Sequence, residues 1–394
     1  MQFCSKSLLL FMSVAICTVS AFAQVGTDSD SLQVQDLSAL QQKANPYNIP
    51  EEILPLWDSL SIRQKAAQLI MVYMSPSDFL VKNEFGGVLV MKSHLNKKDN
   101  FVQNLAEANA QLRIPLLVAS DQEGGRVNRI GGISEKWKTA PSAKEMREMD
   151  TDSIEAIAYS IGQELKELGI NLNLAPVLDP AQDHRKKNSF MEESHRSWDN
   201  DDSEEKIAAF VRGMKANGIS CVSKHFPGYD SWTNSDHQIA ISATPKAQIR
   251  RNVGLFKAQA ERIPITMMSS VRFIRISSKP AVFEPKIVKM ARDMSDDIVI
   301  LTDDLWGTSL RAWISGKERA TGKNYPAADF KKLVRVAVMA GNDMFMITFP
   351  RKAEEMVTYL ERLAKYNKTY KKRIEESAAR IIKMKYKAGI LKAN

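Results

Sequence analysis

Eight short apolar runs, separated by polar segments of helical period, constrain this chain more than any other feature. They are AAQLIMVYM (66–74), GGVLVM (86–91), PLLVAS (115–120), INLNLAPVLD (170–179), ISCVSK (219–224), PITMMSS (264–270), DIVILT (297–302) and NDMFMIT (342–348). Between most of them lie amphipathic segments such as DSIEAIAYSIGQELKELG and PAADFKKLVRVAVMAG. Short runs without polar alternation are strands buried on both faces, and such strands interleaved with helices form parallel sheets. Eight repeats predict an α/β fold, a (β/α)8 barrel of the TIM type, rather than an open doubly wound sheet. No Gly-x-Gly-x-x-Gly follows any run, which argues against dinucleotide binding. The last helical segment, YKKRIEESAARIIKMKYKAG, brings the chain to residue 394. One catalytic domain over 49–394 is therefore expected, without a C-terminal α/β sandwich domain.

The first residues have a different character. MQFCSKSLLLFMSVAICTVSAFAQ has one lysine, an apolar run and a small-residue site, the pattern of a secretory signal peptide over 1–23 with a cut after Ala23. Its apolar run is too short for a membrane span, so none is expected after signal removal. Ile16 before Cys17 is not the small residue that lipoprotein cleavage takes. Residues 24–48 are polar and read as a tether. The expected location is periplasmic or secreted. Cleavage removes Cys4 and Cys17 and leaves Cys221 alone, so no intrachain disulfide is expected.

A net charge of +9 raises the question of an anionic partner. The basic residues are interleaved with acids along the whole chain, which describes a solvated mixed surface rather than a nucleic-acid site. The five histidines show no metal-ligand spacing, and no cofactor motif is present. Neither metal nor cofactor is expected.

A β/α barrel carries its chemistry at the C-terminal ends of its strands. The third run ends in SDQEGGRVNR and presents Asp121, Glu123, Arg126 and Arg129; the fifth presents Lys224 and His225; the seventh presents Asp303 and Asp304. Asp304 has an equally good structural reading, as a cap for the following helix. Three strands delivering ionisable groups to one rim suit a ligand rich in hydroxyls, since acids and bases divide the donor and acceptor roles a sugar needs. Glycoside hydrolysis adds a carboxylate and a proton donor. Asp303 is a candidate for the first, and His237, in KHFPGYDSWTNSDHQ (224–238), for the second.

These segments, together with FGGVLVM, IGQELKELGINLNLAPVLD, KHFPG, ILTDDL and AVMAGNDMFMI, resemble the family 3 glycoside hydrolases of the single-barrel, NagZ-like β-N-acetylglucosaminidase type. The resemblance covers nearly the whole chain after the tether. It implies a retaining mechanism with Asp303 as nucleophile and His237 as acid/base. It also implies sugar-holding roles for Asp121, Arg129, Lys224 and His225, and for Arg196 in HRSW. The implied ligand is a GlcNAc-containing oligosaccharide or muropeptide.

The same comparison exposes departures. The family pattern runs roughly KHFPGHGDTxxDSH, and this chain reads KHFPGYDSWTNSDH. Ser235 holds the place of the aspartate that partners the histidine, and the nearest carboxylates are Asp236 and, across the loop, Asp230. Ser270 stands where the family commonly has a histidine. Two readings follow: an active β-N-acetylglucosaminidase, or a sugar-binding barrel with impaired turnover.

Overall fold

In the computed structural model, residues 45–393 are described, and the compact unit that holds the site begins at Tyr47. The signal-peptide assignment, 1–23, and the tether as far as residue 44 lie outside the described residues. Within the unit, each of the eight apolar runs supplies one strand of a single parallel sheet: β1 (Ile70–Tyr73), β2 (Gly87–Val90), β3 (Leu117–Ser120), β4 (Leu172–Asn173), β5 (Ser220–Phe226), β6 (Ile265–Met268), β7 (Val299–Thr302) and β8 (Phe345–Ile347). Each strand pairs with the next, and β8 pairs with β1 in the register Ile70–Phe345. A parallel bridge between Leu301 and Met344 closes the last seam. There Thr302 N donates to Met344 O at 2.9 Å, and Thr302 Oγ1 accepts from Met346 N at 3.1 Å. The sheet is a closed (β/α)8 barrel with helices outside.

Local sequence explains the boundaries. Ser61 and Gln64 form a reciprocal cap on the helix Ile62–Gln68, so the first apolar run begins inside that helix and only its second half is strand. Gly86 must be glycine because a Cβ there would stand 1.9 Å from Gln68 O, where the helix end meets β2. The fourth run yields only two residues of regular strand. Pro176 has no N–H to give the ladder, and pairing resumes beyond it, with Leu178 N donating to Lys224 O at 2.7 Å. The fifth strand runs further than expected, to Phe226, with a shift of register between Lys224 and Phe226.

The N-terminal end of the barrel is fastened by charge. Asp343, just before β8, is fully buried and pairs with Arg292, Arg373 and Arg380; Ser377 Oγ donates to its Oδ1 at 2.9 Å. Three of these partners lie on the long helix Lys368–Lys387, which is thereby locked across the barrel floor. At the opposite end, two-residue strands Ile241–Ser242 and Arg272–Phe273 pair and tie the loop after β5 to the loop after β6.

Candidate active site

The loop after β3 is shaped before any ligand arrives. Gln122 is buried, and its Oε1 accepts from Arg129 N at 2.8 Å and Ile130 N at 3.1 Å, which folds the loop back on itself. Gly124 turns the chain at φ 89°, and a Cβ there would meet Pro141 O at 1.9 Å. The result aims Asp121, Glu123 and Arg129 at the barrel mouth.

Lys224, at the end of β5, reaches the same place. Its buried Nζ lies 2.8 Å from Asp121 Oδ1 and 2.6 Å from Glu123 Oε1. Arg129 Nη2 lies 3.3 Å from Asp121 Oδ2, and Arg196 pairs with Glu123 through Nε and Nη2 at 2.7 and 2.9 Å. The five charges alternate along one chain: Arg129, Asp121, Lys224, Glu123, Arg196. Burial works to raise both carboxyls, but the cations outweigh it. Lys224 and Arg129 hold Asp121 below the usual range, and Arg196 and Lys224 hold Glu123 far below it. Burial alone would lower Lys224; Asp121 and Glu123 raise it instead. Asp121 and Glu123 are therefore carboxylates at neutral pH, and Lys224 and Arg196 keep their charge beside them.

His225 stands on a carboxylate of its own. Asp179, fully buried at the end of the fourth run, accepts from His225 N at 2.9 Å and from Tyr229 N at 2.6 Å, and its Oδ2 lies 2.7 Å from His225 Nδ1. This contact fixes the ring's orientation. Asp179 is a structural member of the site that the sequence did not point out, and Glu123, placed at the rim from sequence, takes its role from its pairs with Lys224 and Arg196. The signal for both was position, Asp179 closing the fourth apolar run and Glu123 following the third at the C-terminal rim.

Asp303 follows β7. Its Oδ1 accepts from Asp304 N at 2.8 Å and its Oδ2 from Ser270 Oγ at 3.1 Å. Asp304 turns away into structure: its Oδ1 accepts from Trp306 N and Thr348 N, and its Oδ2 accepts from Thr348 Oγ1 at 2.6 Å. Burial pushes Asp304 up to about 6 against these hydrogen bonds.

These residues line one cavity of about 340 Å³ at the C-terminal end of the barrel. Asp121, Arg129, Arg196, Lys224, His225, Asp236 and Asp303 all contribute to it, as does Glu123. His237 does not, although Asp236 and His237 are both exposed residues. No hydrogen bond or ion pair joins His237 to Asp236 among the described residues. Asp230 is turned elsewhere, its Oδ2 accepting from Thr244 Oγ1. Burial at the cavity wall and the Asp303 charge raise Asp236, against Arg196, His225 and His237. Among the described residues no group of three or more histidines, cysteines or acids is arranged to hold a metal. Nor is any helix there long and apolar enough to cross a membrane.

A (β/α)8 barrel with a held carboxylate and a lattice of charged groups around one rim cavity suits glycoside hydrolysis, and comparison with known proteins places the protein among the glycoside hydrolases. The sequence matches the glycosyl hydrolase family 3 N terminal domain over residues 61–384, and the chain belongs to that family. A β-hexosaminidase from Pseudomonas aeruginosa is 27% identical over 292 residues, covering 71% of this chain and 80% of that protein. The β-hexosaminidase LpqI of Mycobacterium tuberculosis is 27% identical over 250 residues, 60% of this chain and 61% of that one. The crystal structure of β-N-acetylhexosaminidase from Beutenbergia cavernae superposes with a TM-score of 0.70 at 26% identity, over 83% of this chain and 99% of that one.

Proposed function

We propose that this protein is an exported, retaining β-N-acetylglucosaminidase that removes terminal GlcNAc from glycans, peptidoglycan fragments among them. The observation that carries this reading is the placement of Asp303. It is held by Ser270 and by the backbone of Asp304, in a cavity whose other walls are the five-charge lattice and His225, which Asp179 orients from behind. The lattice offers paired donors and acceptors to ring hydroxyls, and a carboxylate oriented by two hydrogen bonds is ready to attack an anomeric carbon. The names of the family relatives support the N-acetylhexosamine; the leader-like first residues support export.

In this mechanism Asp303 attacks C1 as the glycosidic bond breaks, and a glycosyl-enzyme forms. Water then displaces Asp303 with net retention. The proton for the leaving oxygen comes from the loop after β5, where the family resemblance expects His237. A second reading, a sugar-binding barrel with little turnover, draws on the unpaired, exposed His237 and on Ser270 in place of histidine.

Hydrolysis of aryl β-N-acetylglucosaminides by the mature protein and by Asp303→Ala separates the two. Turnover lost in the variant supports the hydrolase. GlcNAc binding without turnover in either protein supports the binding barrel.

A further inference from the structure

The loop after β5 presents two consecutive ionisable residues in different directions, and the cause is local. Tyr229 N is held by Asp179 Oδ1, and its hydroxyl accepts from Ser235 N at 2.9 Å while donating to Thr233 O. That clamp draws Ser235 into the protein, where it is 8% exposed. Asn234 then turns the chain, its Oδ1 accepting from Asp236 N at 2.9 Å and its carbonyl from His237 N at 3.4 Å. Asp236 emerges on the cavity wall that it shares with Asp303, Asn234 and Ser235, and His237 emerges outside it.

We propose that Asp236 itself, rather than His237, is the proton donor and general base of this enzyme. The assignment rests on the reading of Asp303 as the nucleophile. Two carboxyl groups across one sugar cavity are the usual equipment of a retaining glycosidase. The donor must hold its proton in the resting enzyme. The ionisable groups facing Asp236 are Asp303 from the end of β7, Arg196 from the loop after β4, His225 from β5 and its own neighbour His237. Partial desolvation at the wall and the Asp303 charge outweigh the other three and raise the Asp236 carboxyl above the usual aspartate value, the direction a proton donor needs, although the residue as a whole is exposed.

The step balances without a co-reactant. Asp303 bonds to C1 as the bond from C1 to the leaving oxygen breaks, and the Asp236 proton passes to that oxygen. The glycosyl-enzyme leaves Asp303 uncharged, which removes the charge that raises Asp236. Its carboxylate then takes a proton from water as the water oxygen bonds to C1 and the C1–Asp303 bond breaks. Both groups return to their starting states.

The test is a series of aryl β-N-acetylglucosaminides graded by leaving-group acidity, run on the native protein, Asp236→Asn and His237→Gln. For Asp236→Asn the expected loss is about 10²–10⁴-fold on poor leaving groups and much smaller on dinitrophenyl. The basic limb of kcat/KM against pH should vanish with it. Azide added to Asp236→Gly should give the retained glycosyl azide. For His237→Gln any loss should be the same across the series. A leaving-group-dependent loss in His237→Gln with a flat response in Asp236→Asn overturns this assignment and leaves the hydrolase reading intact. A native protein inert to the whole series overturns both.

Discussion

Arg196 closes on Glu123 as a two-pronged pair, Nε to Oε2 at 2.7 Å and Nη2 to Oε1 at 2.9 Å, with 3% of the Glu123 side chain exposed. The pair joins the loop after β4 to the loop after β3, and Glu123 also carries Lys224 at 2.6 Å. One carboxylate thus bridges two cations, the half-buried Arg196 and the buried Lys224.

Glu123→Gln should leave Arg196, Lys224 and Arg129 with Asp121 as their sole carboxylate in the lattice. Breaking a buried pair by removing one partner typically costs about 3–5 kcal/mol, and a loss of that order in urea unfolding at pH 7 is expected. Acid behaviour gives an independent reading. Asp121 and Glu123 have depressed folded values, so their stabilisation is complete above the unfolded carboxylate range of about 4 and is lost as pH falls through the folded values below it. The native protein should therefore lose stability steeply below about pH 4, and Glu123→Gln less steeply. Parallel slopes would mean that Glu123 does not carry the lattice.

Ser270→Ala should slow turnover without unfolding the protein. Ser270 Oγ donates to Asp303 Oδ2 at 3.1 Å, and its loss frees one carboxylate oxygen of the proposed nucleophile. A hydrogen bond to a charged group contributes roughly 1.5–3 kcal/mol, so a fall of about ten- to a hundredfold in kcat/KM is expected with an unchanged thermal midpoint. An unchanged kcat/KM would show that Asp304 N alone orients Asp303.

Asp304 titrates in the opposite sense from Glu123. Burial raises it to about 6, so its stabilising contribution is full below the unfolded value near 4 and is lost as pH rises through 6. Asp304→Asn keeps an acceptor for Trp306 N and Thr348 N and removes the ionisation. Between pH 4 and 6 the native protein should lose up to roughly 3 kcal/mol that the variant keeps. Urea midpoints across that interval measure the difference.

The barrel was legible in the sequence because its eight short runs are mostly apolar without strict alternation, and a parallel sheet covered by helices buries such runs on both faces. Rim positions followed from the same rule, which is why Asp121, Lys224 and Asp303 could be named together. Two things were not legible. Run four spans ten residues and gives two of regular strand, because Pro176, which has no N–H for the ladder, sits inside the run. The loop from Tyr229 to Gln238 was read by the spacing of its acids, while its course is set by a tyrosine hydroxyl bonded to backbone at Thr233 and Ser235. A side chain that clamps main chain leaves no periodic signal, so the directions of Asp236 and His237 needed the structure. Asp179 was overlooked for a simpler reason: it closes an apolar run and was counted as part of the strand.

Lys385 poses the last question at the other end of the barrel. It is fully buried on the long helix Lys368–Lys387, and its Nζ donates to Gln68 Oε1 and Pro115 O, both at 2.8 Å. Burial pushes it down to about 7, well below an ordinary lysine. From pH 7 to about 10 the unfolded chain holds a proton that the folded protein gives up. Stability should therefore rise with pH, by at most roughly 1.4 kcal/mol per unit. Lys385→Met removes that slope but strands the Gln68 and Pro115 oxygens, each costing about 1–3 kcal/mol. At pH 7 the two effects oppose, and the level of stability alone decides nothing. The slope does: unfolding free energies at pH 7, 8 and 9 should climb for the native protein and stay flat for Lys385→Met. Equal slopes would mean that the two oxygens keep Lys385 charged inside the protein.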